Sequence, residues 1–478
     1  MRNNGTDSSV YMNPGGNARG IIFGEAYLIT AKDKALFFVL MAAGFIGTLS
    51  QNLLTSALPS IIDSFSITPA VGQWLTTSYI LLMGVMTALS AYMYNRFPTR
   101  RLILISIGVF IFGCMISLTA ADFRILLVGR FIQAFGAGPT IPLLQIAAVY
   151  IYPPECQGEA LGLTGIIVGF APAVGPTLSG ILTDLFGWRS IFAFLIAVGS
   201  ICLLLGCFFL RDIGERKRIH LDVLSVLLYS SGFCAFMLSV TSMENGTVFS
   251  VNTIGMMIAG IICLAVFVIR QNVLKEPLLM ISLLRKRSLA YGTVLLGTAY
   301  FMNMAGTILV PLFNQSICTY SATASGLMML PGSLLIAILS PCAGRLMDRY
   351  GAMRTCLAGM LFMLTGNAVF AFLSQQTSAA IIVCAYALRC LGMTFLMTPS
   401  TALGVQDLTV EEKPYGMAIM NSARQMSGAL FSTILVVAAT ISTVSESADI
   451  DITGMHTAFI IMTLCSLTGV LLIMKLKD

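Results

Sequence analysis

The chain has 478 residues, 57% of them hydrophobic and only 10% charged, with a mean hydropathy of +0.89. A soluble domain carries about 25% charged residues, so this composition excludes a water-facing globule and describes an integral membrane protein. The net charge of +6 is distributed as a topology signal and excludes nucleic acid as a partner.

The first stretch, MRNNGTDSSVYMNPGGNARG, has no apolar core behind its leading Arg, so it is not a cleavable signal peptide. Residues 1–35 read as a flexible cytoplasmic tail, within which IIFGEAYLI (21–29) either lies in the interface or folds under the bundle. Fourteen apolar runs follow, at 36–61, 70–94, 102–121, 124–150, 158–182, 189–210, 221–243, 251–270, 289–313, 323–343, 354–374, 379–403, 415–443 and 455–474. Each is long enough for a spanning helix of about 20 residues. The runs are continuous and too long for barrel strands. Of the 27 Lys and Arg, 22 lie in the termini and alternate loops, and the opposite loops hold only Arg124 and Arg189. The positive-inside rule then places both termini in the cytoplasm, with an even number of spans.

Span 1 carries SQNLLTSALPSI (50–61), where Ser50, Gln51, Asn52 and Thr55 are polar but uncharged. They can orient a substrate by hydrogen bonds but cannot hold a proton. The loop after span 2 reads AYMYNRFPTRR (91–101), with Asn95 and Arg96 at its centre. Span 4 contains Arg130, expensive inside a membrane by about 2.5 kcal/mol or more, and Gln133 one turn along. Span 5 reads GIIVGFAPAVGPTLSG (165–180). Advancing 100° per residue, Gly165, Gly169, Pro172, Pro176 and Gly180 join Gly158 and Gly162 in a stripe about 80° wide. Gly175 belongs to the same run and is taken with these residues as part of the gating stretch. Small residues on one face let another helix approach closely, and the two prolines favour a kink. The expectation is a small-residue seam that closes against span 9 or span 10.

Asp184 ends span 5. It is either a functional titratable group at the outer end of the span or an interfacial carboxylate beside Arg189. The loop after span 10 reads GRLMDRYGAMR (344–354), containing Gly344, Asp348, Arg349, Gly351 and Arg354. Its Asp348 can pair with arginine and face the positive end of a nearby helix, forming a cytoplasmic latch, or the loop can carry ordinary exposed charges. The earlier copy has Asn95 in place of the acid, so its latch is expected to be weaker. In span 13, Asn421, Arg424 and Gln425 stand at i, i+3 and i+4 on one face. That face lines a cavity, or Arg424 snorkels to the cytoplasm. No Asp or Glu lies deep in any span, so a preference for cationic cargo has no source. Twelve scattered Cys and two separate His form no metal cluster, and nothing points to a cofactor or a covalent catalyst.

The loops after spans 2 and 10 correspond, as do spans 4 and 12, each with an Arg early in the helix (Arg130, Arg389). Each half is then six helices, with spans 7 and 8 left over. The expected architecture is an all-α membrane protein arranged 6+2+6: a tail (1–35), an N-terminal bundle (36–210), an insert with linkers (211–288) and a C-terminal bundle (289–478). Paired halves around a midplane site mark a transporter.

GRLMDRYGAMR resembles the loop motif of the major facilitator superfamily, G-x-x-x-D-R-x-G-x-x-R. LLVGRFIQAFGAG resembles its span-4 motif and GFAPAVGPTLSG its antiporter-specific span-5 motif. ALPSI (57–61), QWLTTSYIL (73–81) and FGWRSIF (186–192) are similar to the fourteen-helix drug:proton antiporter branch, Gram-positive type. The resemblance covers nearly all of residues 36–474. It implies two six-helix bundles rocking around a central cavity, a proton-relay role for Arg130, whose alternative is a structural arginine bonded to carbonyls, and location in a bacterial plasma membrane.

The expected function is proton-driven export of amphipathic drugs or other small molecules by a monomer, with substrate, protons and the lipid bilayer as partners. The neutral or weakly charged members of that class fit the carboxylate-free spans. Export of an endogenous metabolite, lipid or peptide is the alternative. Proton-linked import fits less well, because of the span-5 motif. A membrane-embedded enzyme fits least, since the loops are short and carry no carboxylate cluster.

Overall fold

In lipid every backbone N–H and C=O must be satisfied inside the protein, and a continuous apolar run does this as a helix. A computed structural model of the chain follows this rule; it describes residues 31–153, 156–213, 220–244, 250–441 and 452–475. Residues 1–30 of the tail, with the IIFGEAYLI segment, lie outside the described residues. Among the described residues the structure is helical, without strands.

The first four long helices are α1 (Ala31–Phe65), α2 (Trp74–Arg96), α3 (Thr99–Leu118) and α4 (Phe123–Ile151), the last interrupted by a turn at Gly138–Pro139. Then come α5 (Gln157–Phe186), α6 (Ser190–Phe209), α7 (Val223–Glu244) and α8 (Val251–Val273). The remainder is α9 (Arg287–Leu312), α10 (Ala322–Tyr350), α11 (Ala352–Phe370), α12 (Ala379–Val405), α13 (Lys413–Ile441) and α14 (Ile452–Lys475). Twelve spans among the described residues are long and apolar enough to cross a membrane. The other two helices, α5 and α13, have 30 and 29 residues and are wedged between neighbours.

Helix ends follow local chemistry. Asp122 caps α4 by accepting from the Arg124 amide, and Ser321 caps α10 by accepting from the Ala324 amide. Gly187 and Gly351 stop α5 and α10 at φ +78° and +89°, a backbone conformation that suits glycine. Asp33 and Arg211 pair at the start of α1 and just beyond α6. The helix α1 begins at Ala31, a little before the expected boundary at residue 36.

Packing separates into two groups of helices. In the first, α1 lies on α5 and α6, and α3 on α4 and α6. In the second, α9 lies on α12 and α13, and α11 on α12 and α14. The groups meet along α5 with α10 and along α2 with α13. The pair α7 and α8 packs against itself, and α7 rests on both α2 and α13. There the Phe233 ring fills the space that a side chain at Gly84 would need. Beyond it α8 exposes Ile254, Ile258, Ile261, Ile262, Val266 and Ile269, the surface a lipid-facing helix carries.

Candidate functional site

The contact between α5 and α10 is built from glycine. A Cβ at Gly158 would stand 2.7 Å from the Gly344 carbonyl oxygen, and one at Gly162 would stand 2.6 Å from that of Ser340. Gly165 meets Ser340 Cβ at 3.2 Å, and Gly169 meets Ile336 Cβ at 2.8 Å. As numbers rise on α5 they fall on α10, so the helices run antiparallel over about 16 Å at 1.5 Å per residue. Gly175 faces elsewhere, 2.8 Å from Asn52 Cβ on α1. At Gly180 a Cβ would meet nothing within 4 Å. The close packing on α10 therefore runs from Gly158 to Gly169, at the start of α5, and there is room for a side chain at Gly180 near its end. The α5 backbone is helical through Pro172 and Pro176; their side chains, and that of Thr55, lie outside the described residues.

At the tight end Asp348 caps α5. Its Oδ1 accepts from the Gly158 amide at 3.0 Å and its Oδ2 from the Glu159 amide at 3.1 Å. A carboxylate on the free amides of a helix start gains both hydrogen bonds and the helix dipole. Arg345 donates to Glu159 Oε1 from Nε at 2.9 Å and from Nη2 at 2.6 Å. The arginine therefore serves Glu159, and the backbone serves Asp348. Arg349 turns away, its guanidinium 5.3 Å from the Tyr350 ring centre. Arg354 takes none of the ion pairs among the described residues. The sequence marks Glu159 only as an acid near a span end; its place in the first turn of α5, opposite a basic loop, is the signal for its part in the latch.

The earlier copy of this loop also crosses between the two groups. Asn95 is buried at the end of α2 and faces the Tyr415 hydroxyl near the start of α13. Arg96 beside it is exposed. Nearby the Tyr150 hydroxyl donates to the Val410 carbonyl at 2.9 Å, and Asn421 Nδ2 donates to Gln145 Oε1 at 2.6 Å.

Arg130 is fully buried. It donates to the Leu75 carbonyl (3.2 Å), to Ser50 through its carbonyl (3.3 Å) and Oγ (3.0 Å), and to Gln133 Oε1 (2.9 Å). Its guanidinium carbon lies 4.1 Å over the Tyr79 ring. Gln133 in turn donates to Ser117 Oγ at 2.8 Å. Gln133 was expected to line a cavity; in this conformation it is fully buried and its amide is spent on Arg130, Ser50 and Ser117. Gln51 and Asn52 are partly buried, and Asn52 Nδ2 donates to the Thr48 carbonyl at 2.9 Å.

Asp184 is exposed near the end of α5. Arg189 is not its partner: it donates to the Ala120 carbonyl at 2.9 Å and stacks on Trp188 at 4.2 Å. On α13, Asn421 and Arg424 are buried and Gln425 is partly exposed. Arg424 does not snorkel; its guanidinium lies 4.6 Å over the Tyr300 ring of α9. Among the described residues no Asp or Glu is buried and no cluster of metal-binding side chains occurs.

Comparison with known proteins places this geometry. The chain is 33% identical over 449 residues to the uncharacterized MFS-type transporter YcnB of Bacillus subtilis, covering 92% of this chain and 94% of the relative. It is 30% identical over 396 residues to the lincomycin resistance protein LmrB of Listeria monocytogenes, covering 83% and 84%. The fold superposes on the human organic anion transporter MFSD10 (TETRAN) with a TM-score of 0.68 at 13% identity, over 93% of this chain and all of that one. Residues 40–433 match the sequence profile of the Major Facilitator Superfamily. With two helix groups joined by a capped, glycine-lined seam, and with relatives of this kind along most of its length, the chain belongs to the Major Facilitator Superfamily: it is a multi-pass membrane transporter of small molecules, not an enzyme.

Proposed function

We propose that this transporter exports amphipathic small molecules in exchange for protons across a bacterial plasma membrane, acting as a monomer. The reading takes α5 and α13 as spans beside the other twelve, in a 6+2+6 order with both termini cytoplasmic. The observation that carries it is the Asp348 cap on α5. It joins the two six-helix groups at the closely packed end of the seam, whose other end has room at Gly180. With the basic loops inside, the capped end is cytoplasmic, and the conformation opens outward.

In this reading Gly344, Asp348, Arg349, Gly351 and Arg354, with Asn95 and Arg96 in the weaker copy, form the latch that must part for cargo to enter. The glycines of α5, with Pro172 and Pro176, form the sliding surface and keep it tight against leaks. Gln51, Asn52, Thr55, Gln133, Asn421, Arg424 and Gln425 supply the polar side of the substrate path; Gln133 and Asn421 become available once the halves shift. Arg130 links α1, α2 and α4 and carries the positive charge that responds to proton entry. Asp184, at the outer mouth, is the candidate acceptor. The resistance protein among the relatives supports a drug-like cargo.

The test uses everted vesicles loaded with a pH-sensitive dye. Energised vesicles should lose part of their gradient when a transported amphipath is added, and only when the chain is present. Transport that survives an uncoupler, with no amphipath collapsing the gradient, would refute proton exchange.

A further inference from the structure

Three arginines are buried among the described residues, Arg130, Arg389 and Arg424, and no acidic side chain is buried with them. They sit in different surroundings. Arg130 has the ring of acceptors described above, with its second terminal nitrogen, Nη2, left without one. Arg389 donates to the Met302 carbonyl at 2.7 Å, its Nε and Nη1 have no partner, and the missing side chains of Gly306 and Gly366 leave the room it fills inside the second group.

Arg130 and Arg389 each keep at least one hydrogen bond from the guanidinium; Arg424 keeps none among the described residues. It is only 5% exposed, yet its guanidinium enters none of the hydrogen bonds or ion pairs among the described residues, and its Nε is buried without a partner. Its flat face rests on Tyr300, which holds the group by cation–π attraction and leaves the N–H edges free. It stands one turn along α13 from Asn421, whose amide reaches Gln145 of α4 in the other group. The uncompensated charge therefore lies beside the contact between the two groups, with Gln425 partly exposed next to it.

We infer that Arg424 is the receptor for a negative charge on the cargo, and that the substrates are amphipathic organic anions bearing a carboxylate or sulfonate. This deepens the export reading above and rests on it. An unpaired cation inside a membrane is costly, and an incoming anion removes that cost while a cation adds to it, so the site selects by charge. The planar fork of N–H donors matches a carboxylate two bonds at a time. An inside-negative membrane potential also pushes an anion outward. Such a cargo can leave through spans that hold no buried carboxylate.

The test reconstitutes the full chain in proteoliposomes and compares two anionic dyes, fluorescein and anilinonaphthalene sulfonate, with two cationic ones, rhodamine 6G and ethidium. The native chain should move the anions. Arg424→Gln should slow them at least tenfold and turn the preference toward the cations, with insertion and elution position unchanged. Arg424→Lys, which keeps the charge, should recover part of the anion rate. Transport of cations but not anions by the native chain would overturn the inference and leave the export reading standing. Native anion rates in Arg424→Gln would do the same. If correctly inserted protein moves none of the four dyes, the export reading fails, and the inference with it.

Discussion

Replacing Asp348 by Asn removes a charge from the start of α5 while keeping the shape of the side chain. The carboxylate accepts two backbone hydrogen bonds, at 3.0 and 3.1 Å, across the seam. Hydrogen bonds to charged groups are worth about 1.5–3 kcal/mol each when well buried. Here Asp348 is itself exposed, only its bond to the Gly158 amide is part-buried, and the amide keeps one acceptor. Solvent screening cuts the net loss to roughly 1.4 kcal/mol, from one charged bond and the helix dipole. Each 1.4 kcal/mol is a factor of ten, so the sealed conformation should lose about tenfold in its equilibrium against the parted one. Cys156, just before α5, and Cys342, on α10, flank this contact. In everted vesicles a membrane-impermeant maleimide should label both about tenfold faster in Asp348→Asn, read peptide by peptide by mass spectrometry. Labelling within twofold of the native rate would refute the latch. Glu159→Gln should do less, below about fivefold, because its pair with Arg345 is exposed and screened by solvent.

Gly162→Leu and Gly169→Leu should each abolish export while the protein still inserts, because a Cβ at these positions already meets the Ser340 carbonyl oxygen at 2.6 Å and Ile336 Cβ at 2.8 Å; full export by both would remove the seam from the mechanism. Asp184→Asn should flatten the pH dependence of transport, and an unchanged profile would dismiss Asp184 as the coupling group. Hydrogen bonds from Arg270, then from Ser225, lower the Asp222 carboxyl to about 2. A depressed carboxylate stabilises the fold above its unfolded value of about 3.9 and loses that contribution as pH falls through its folded value. Asp222→Asn should therefore melt earlier than the native chain by a constant interval between pH 5 and 8. The interval should shrink only below about pH 4; a gap that closes nearer neutrality would contradict the pairing.

The sequence by itself determined the helices, because lipid leaves an apolar run no other way to satisfy its backbone. It also marked the residues that later meet. The stripe through Gly158, Gly162, Gly165 and Gly169 is arithmetic on a 3.6-residue period, whereas the structure alone turns Gly175, of the same motif, toward α1 instead of α10. The buried arginines were visible as charges that a membrane interior tolerates only inside a bundle. Only the tertiary structure decided which surfaces touch. Lipid-facing and packed side chains are equally apolar, so hydropathy says nothing of how a helix is rotated or which neighbour it meets. Asp348 is 190 residues from Gly158, and its partners are backbone amides that leave no trace in residue identity. The same holds for Phe233 pressed into Gly84 and for Gln133 turned inward to Arg130. Arg424 illustrates both levels: its charge is written in the chain, while its place above Tyr300, with no acid buried among the described residues, comes from the packing of α13 on α9.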